Sequence, residues 1–263
     1  MNGIGHAIAR LDIPRHLVLP VALMAGCFFI AVLTIVFIRG SNAAVLVLDY
    51  SNYSIFPYPF TIQNLMYLFF FACLGELLAR YQCAQRELGF LGQGYLPEDT
   101  QTVLQVHELG PIRMRVAERH DGENGFLPYL IDLSILQFQS SRSVDQVVSV
   151  LNSSLELISH RVDLRYSMIR YIVWVIPTIG FIGTVVGIAG ALGFVNPEHM
   201  DLGKVTSSLA IAFNTTIIAL VLSAILVFLL HVVQKREEMA VNLSGDYCLR
   251  NLINRLYAGD AAQ

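Results

Sequence analysis

The chain has 263 residues, 55% of them hydrophobic and only 14% charged, with a mean hydropathy of +0.57. Soluble domains carry roughly a quarter charged residues, so an ordinary soluble protein is excluded and an integral membrane protein is indicated. The 17 Lys+Arg and 20 Asp+Glu give a net charge of -3, too near neutral to point to nucleic acid or an anionic substrate.

A bilayer core of about 30 Å needs roughly 20 apolar residues in a helix, and four such runs follow one another along the chain. After an N-terminal segment, 1–16, the first run covers 17–38. It carries no charge and exceeds the apolar stretch of about 7 to 15 residues in a cleavable signal peptide, so it is read as a retained span. A loop, 39–59, leads to the second span, 60–79, which holds Gln63 and Asn64 near its start and Glu76 near its end. Glu76 has Arg80 four residues later, the favourable order for a helical ion pair, and is read as an interfacial paired residue.

The polar segment 80–170 contains Gly110-Pro111 and a turn-forming cluster at 121–125, which are expected to punctuate short helices. It ends in a helical stripe of Val144, Val148, Leu151, Leu155, Ile158, Val162, Tyr166 and Ile169. Ser143 with Gln146 supplies a capping-box start, and no Pro or Gly interrupts the pattern as far as Trp174. One long helix is therefore predicted to run into the third span, 171–195. A short loop, 196–207, and the fourth span, 208–233, complete a hairpin. Met239, Leu243, Tyr247, Ile253 and Leu256 then suggest that the fourth helix extends through 234–263. The predicted fold is an all-α integral membrane protein of four transmembrane helices, the third and fourth extended into a helical cytoplasmic domain.

Fifteen of the 17 basic residues lie before the first span, in 80–170 or after the fourth span, whereas Arg39 and Lys204 occupy the two short loops. The positive-inside rule then places both termini and the polar segment in the cytoplasm, with the short loops on the exported side. The cysteines Cys27, Cys73, Cys83 and Cys248 have no Cys-x-x-Cys spacing and are read as free thiols. His107-Glu108 lacks the second histidine of a zinc-peptidase helix. With no phosphate loop and no nucleophile and base pair, neither an enzyme nor a cofactor or metal site is indicated.

The third span places Gly180, Gly183, Gly187 and Gly190 within about 80° of one helical face, the spacing of small residues that lets helix backbones approach closely. Thr184 adjoins that face. In the fourth span Ser208, Ala212, Thr215, Ala219 and Ser223 share a second narrow face, adjoined by Thr216. Such a face suits the lining of a narrow polar passage or a surface on which another helix lies. Spans one, three and four contain no carboxylate, so if ions cross here a partner must supply the titrating group.

The segment Pro177-Thr-Ile-Gly-Phe-Ile-Gly-Thr-Val-Val-Gly-Ile188, followed by Ser208-Leu-Ala-Ile-Ala-Phe-Asn-Thr-Thr-Ile-Ile-Ala-Leu220, resembles the paired hallmark segments of the MotA/TolQ/ExbB proton-channel family. The resemblance implies a homopentameric stator subunit around two copies of a single-span partner similar to MotB, TolR or ExbD, whose membrane aspartate carries the ion. It implies that ion-motive force becomes mechanical motion, with H+ the default ion and Na+ the alternative, and with a cytosolic or envelope target receiving the torque. By the same resemblance Thr184 and Thr215 line the ion pathway, Thr216 is a neighbouring candidate, and Pro177 lies near the entrance of its span. Ser208 and Ser223 belong to the same hydroxyl-bearing face. The sequence departs from the family at Ala219, where glycine is common, and at Ala210, in a region where the TolQ and ExbB branch tends to carry an acidic residue. Four spans resemble the flagellar branch, whereas the motif wording resembles TolQ and ExbB. A secondary transporter or solute channel and an oligomeric membrane scaffold are the alternatives. Beyond these protein partners the expected surroundings are membrane lipid, and no nucleic acid.

Overall fold

The computed structural model describes residues 15–39, 41–50, 56–99, 102–117, 125–195 and 201–257. Most of the N-terminal segment, four residues of the 121–125 cluster, residues 196–200 of the second short loop and the last six residues lie outside the described residues. Among the described residues seven α-helices follow in order: α1 (Arg15–Val36), α2 (Asn42–Leu48), α3 (Ile62–Phe90), α4 (Val106–Ala117), α5 (Phe126–Ser141), α6 (Val144–Gly193) and α7 (Leu202–Asn251). Short 3-10 turns stand at Leu91–Gln93 and Ile253–Arg255. No strand occurs among the described residues, and the one isolated bridge joins Leu104 to Leu256.

Among the described residues four helical stretches are long and apolar enough to cross a membrane: His16–Val36, Ile62–Gln93, Val144–Gly193 and Leu202–Arg255. The chain is an all-α membrane protein. Helices α6 and α7 contain 50 residues each, about 75 Å at 1.5 Å per residue, so each far exceeds what a bilayer core requires.

Local chemistry explains where several elements start and stop. Within the predicted loop 39–59, Ser41 caps α2 by accepting the Ala44 N–H at 3.2 Å, and Asp49 ends the helix in the left-handed region at φ 51°. Helix α7 begins at Leu202 rather than 208, because Asp201 accepts the Lys204 N–H at 3.2 Å and pairs with its ammonium, contacts that hold the exposed carboxylate below the usual range. At the start of α6, Ser143 Oγ accepts the Gln146 N–H at 3.5 Å, but the Gln146 carbonyl oxygen turns to Gln137 Nε2, so only half of the predicted capping box is made. Gly110 and Pro111 lie inside α4 rather than between helices, a correction to the sequence reading. Proline removes one N–H there, but the helix is held by Leu109, Ile112 and Val116 in the core and by a 2.8 Å ion pair from Arg113 to Asp132 of α5.

The chain divides into two compact units, one built from Asp12–Ala79 and Ser167–Val232, the other containing Arg80–Tyr166 and Val233–Gln263. In the first, the membrane unit, α1 and α3 touch backbone to backbone: a Cβ on Gly75 would lie 2.5 Å from Ala22 Cβ. Phe29 packs edge-on against Tyr67 at 5.4 Å, and the Tyr67 hydroxyl donates to the Val47 carbonyl at 3.0 Å, tying α2 to α3.

The second unit has a core of the soluble kind. Leu127, Leu130, Ile131, Ile135 and Phe138 of α5 are fully buried with Val147, Leu151, Val162 and Tyr166 of α6. The predicted stripe on α7 is out of phase: Met239 and Leu243 are 44% and 40% exposed, while Ala240, Val241, Ser244 and Cys248 are buried. Small residues win this face because they let α7 close on α6; a Cβ on Gly245 would lie 2.7 Å from Leu155 Cδ1.

Candidate ion-pathway site

The membrane halves of α6 and α7 meet along a seam of small residues. A Cβ built on Gly180 would stand 2.3 Å from Ala219 Cβ, one on Gly183 2.7 Å from Thr215 Oγ1, and one on Gly187 2.6 Å from Ala212 Cβ. No side chain fits at these positions without moving the partner helix, since real Cβ atoms essentially never approach within 3.0 Å. Gly190, the fourth member of the predicted face, is half-buried. Lipid offers helices no hydrophobic drive to associate, so close van der Waals packing and interhelical hydrogen bonds hold such a seam.

The hydroxyls lie along it. Thr184 Oγ1 is 3.1 Å from the Ala212 carbonyl and 3.3 Å from that of Gly180, and it is hydrogen-bonded to Thr216 Oγ1. Thr216 Oγ1 also reaches the Gly180 carbonyl at 3.2 Å. Thr215 Oγ1 donates to the Ala212 carbonyl at 2.7 Å, with the Gly180 carbonyl at 3.3 Å. Three hydroxyls therefore share two carbonyls, and Thr184 and Thr216 are bonded to each other as well; that pair can exchange donor and acceptor roles without parting the helices, because each hydroxyl both donates and accepts. The three threonines differ in access. Thr215 is 2% exposed and packed on Gly183, whereas Thr184 and Thr216 are half-buried at the margin of the seam.

Ser223 and Val173, one turn before Pro177, form a second contact. Proline in the interior of α6 lacks the N–H that would bond the Val173 carbonyl one turn earlier, and Ser223 Oγ of α7 donates to that carbonyl at 3.3 Å. A helix-breaking residue and a hydroxyl that the sequence places 46 positions apart are thus complementary. Ser208, near the start of α7, is 3% exposed. Between Arg170 and Asp201, and between Lys204 and Glu237, the described residues bring no carboxylate to the seam. Hydroxyls near neutral pH bind and relay a proton but do not store one by ionising.

Comparison with protein-family models matches residues 126–243 to the MotA/TolQ/ExbB proton channel family. This segment belongs to that family. Searches of curated proteins and of solved structures give no significant match. The MotA/TolQ/ExbB segment takes in α5, α6 and most of α7, hence the whole glycine and hydroxyl seam, and stops short of α1 to α4. Proteins of this family are proton channels and energy-transducing subunits.

The family segment also carries a buried polar cluster in the second unit that sequence reasoning missed. Glu237 of α7 is fully buried and accepts hydrogen bonds from the Tyr166 hydroxyl at 2.7 Å and from Arg165 at 3.3 Å. Glu87 of α3, also fully buried, accepts the N–H groups of Gly125 and Phe126 at 2.5 and 2.7 Å and so caps α5, whose entry residue Gly125 adopts φ 89°. Burial raises the Glu87 carboxyl above its usual range, against the two backbone bonds that lower it, and the charge of Glu237 adds to the rise while Arg165 opposes it. The Cys83 thiol is pushed up to about 11, first by burial and then by Glu237 and Glu87, with Arg165 and Arg80 opposing the rise. The signal lay in the phase of α7: Val233, Glu237, Ala240, Ser244 and Cys248 recur at steps of three and four, a quieter register than Met239 and Leu243. Of the predicted pair near the end of the second span, Glu76 is half-buried in the membrane unit, whereas Arg80 is 6% exposed in the second unit, where its charge opposes the rise in the Tyr166 hydroxyl.

Proposed function

We propose that the chain is the channel subunit of an ion-driven stator unit, a homopentamer surrounding two copies of a single-span partner whose membrane aspartate carries the ion. The observation that carries this reading is a hydroxyl-rich, glycine-packed seam without a carboxylate, inside the segment that matches the family. An ionised aspartate at the bilayer centre costs about 2.5 to 3.5 kcal/mol on insertion scales, so it crosses most readily when protonated and in contact with hydroxyls. Thr184 and Thr216, at the margin of the seam, are the hydroxyls available to it. Thr215, Ser208 and Ser223 act as positioning residues, and Pro177 sets the entrance of the span. The charge asymmetry supports both termini in the cytoplasm of a bacterial cell with the membrane unit in the inner membrane. Protons are the transported ion, and each charge descending 100 mV releases about 2.3 kcal/mol for motion.

The test is native mass spectrometry of the detergent-solubilised complex, with and without a co-expressed single-span chain carrying a membrane aspartate, followed by proton flux in vesicles. Five copies joined by two partner chains are expected. A double variant, Thr184→Val with Thr216→Val, should keep that mass and lose most of the flux. A monomer or dimer indifferent to the partner overturns the reading in favour of a transporter or channel, and full flux in the double variant removes the threonines from the pathway.

A further inference from the structure

The part of the membrane unit outside the family segment holds a cavity of about 780 Å³, formed between α1 and residues 56–68. Its walls include Ile30, Ala31, Leu65 and Leu68, and its rim carries Ile35 and Phe60, 84% and 79% exposed. The hydroxyls that line it are already engaged: Thr34 with the Ile30 carbonyl at 2.7 Å and with Tyr58, and Thr61 with the Leu48 carbonyl at 3.0 Å. Asn64, also in the wall, donates its Nδ2–H to the Pro59 carbonyl at 2.8 Å, while its buried Oδ1 makes no hydrogen bond. A space walled mainly by apolar groups and by hydroxyls already bonded to the protein holds hydrocarbon better than water. Its volume falls within the range of about 300 to 1,000 Å³ typical of ligand sites. A transmembrane helix, about 10 Å across, would exceed it within about two turns.

One end of this cavity leads to a cation. Tyr58, in the wall, stacks on Tyr50 with ring centroids 4.4 Å apart, and the exposed Arg39 guanidinium stands 5.1 Å from the Tyr50 ring. Arg39 follows the last turn of α1, at the membrane boundary of a span whose window is only 17% buried within the protein. The bilayer that bathes this helix is therefore the first source of an occupant. The geometry points to a binding site for an anionic phospholipid, one acyl chain in the cavity between α1 and α3 and the phosphate on Arg39. The aromatic pair between them fixes the direction of entry: an alkyl chain slides along Tyr58 and past the exposed rim, while the headgroup stays with the guanidinium. The site does not depend on how the α6 and α7 seam works.

Photo-crosslinking of the full chain in phosphatidylcholine vesicles tests it, with a minor component of either phosphatidylglycerol or phosphatidylcholine bearing a diazirine in the acyl chain. Adducts are expected on peptides covering 27–35 and 56–68, about fivefold more from the anionic probe, the preference one interfacial arginine gives. Arg39→Gln should equalise the two probes, and Ala31→Trp, which fills the cavity, should remove the adducts of both. Adducts spread evenly over all lipid-facing peptides, equal labelling by the two probes in the unaltered protein, or protein–protein crosslinks at these peptides instead would overturn the site. Arg39→Gln, an exposed change, keeps the test decisive even if Ala31→Trp fails to fold.

Discussion

Helices α6 and α7 pair twice under different rules. Between Ser167 and Val232 the contact is made by glycines, alanines and hydroxyls on carbonyls, and the large side chains, Phe181, Ile182, Phe213 and Phe228 among them, point away and are more than half exposed. In the stretches Val144–Tyr166 and Val233–Asn251 only α7 keeps a small inner face, with Ala240, Ser244 and Gly245: α6 turns Leu151, Val162 and Tyr166 inward, and two acids are buried with them and with α3. The solvent accounts for the inversion. Water rewards burial of large apolar groups at roughly 25 cal/mol per Å², so bulk goes inside. Lipid does not, so bulk stays outside and specificity comes from close approach and backbone hydrogen bonds.

Four variants probe that contrast. Glu237→Ala should have the largest effect, about 3 kcal/mol or more, since it removes a buried charge that pairs with Arg165 and is the acceptor of the buried Tyr166 hydroxyl. Thermal unfolding of the detergent-solubilised protein measures it, and a loss no larger than that of an exposed substitution would remove the cluster from the core. Gly180→Ala comes next, at about 1 to 3 kcal/mol, because its new Cβ meets that of Ala219. Pairing it with Ala219→Gly should restore most of the loss; if the double variant is no more stable than the single one, the seam is not packed at that point. Ser223→Ala should cost about 1 kcal/mol in the natural sequence and much less in a Pro177→Ala background, where the restored N–H can take over the Val173 carbonyl. Additive losses would contradict the contact.

The smallest effect concerns pH. Burial places the folded Glu87 carboxyl above the ordinary glutamate value of 4.5, so the folded state holds its proton more tightly than the unfolded chain does. Its stabilising share is complete below 4.5 and declines as pH rises through the folded value. Relative to Glu87→Gln, the natural protein should therefore gain stability as pH is lowered from about 7 toward 4.5, read from paired melting curves. A difference that is flat or grows with pH would show that the two backbone hydrogen bonds outweigh burial.

By itself the sequence determined that the chain is a membrane protein with four apolar helices, that the last two are long, and that one carries a glycine face and the other a small, hydroxyl-bearing face. These features are local: span length follows from bilayer thickness, and a face follows from 3.6 residues per turn. Tertiary structure alone decided which hydroxyl is sealed and which is accessible, because Thr184, Thr215 and Thr216 are chemically alike and differ only in what the neighbouring helix covers. It also decided that Ser223 answers Pro177, that Glu87 caps α5 from another helix, and that α7 buries Glu237 and Ala240 instead of Met239 and Leu243. Each depends on the phase and separation of two helices, which close packing sets through both partners together and neither helix encodes alone.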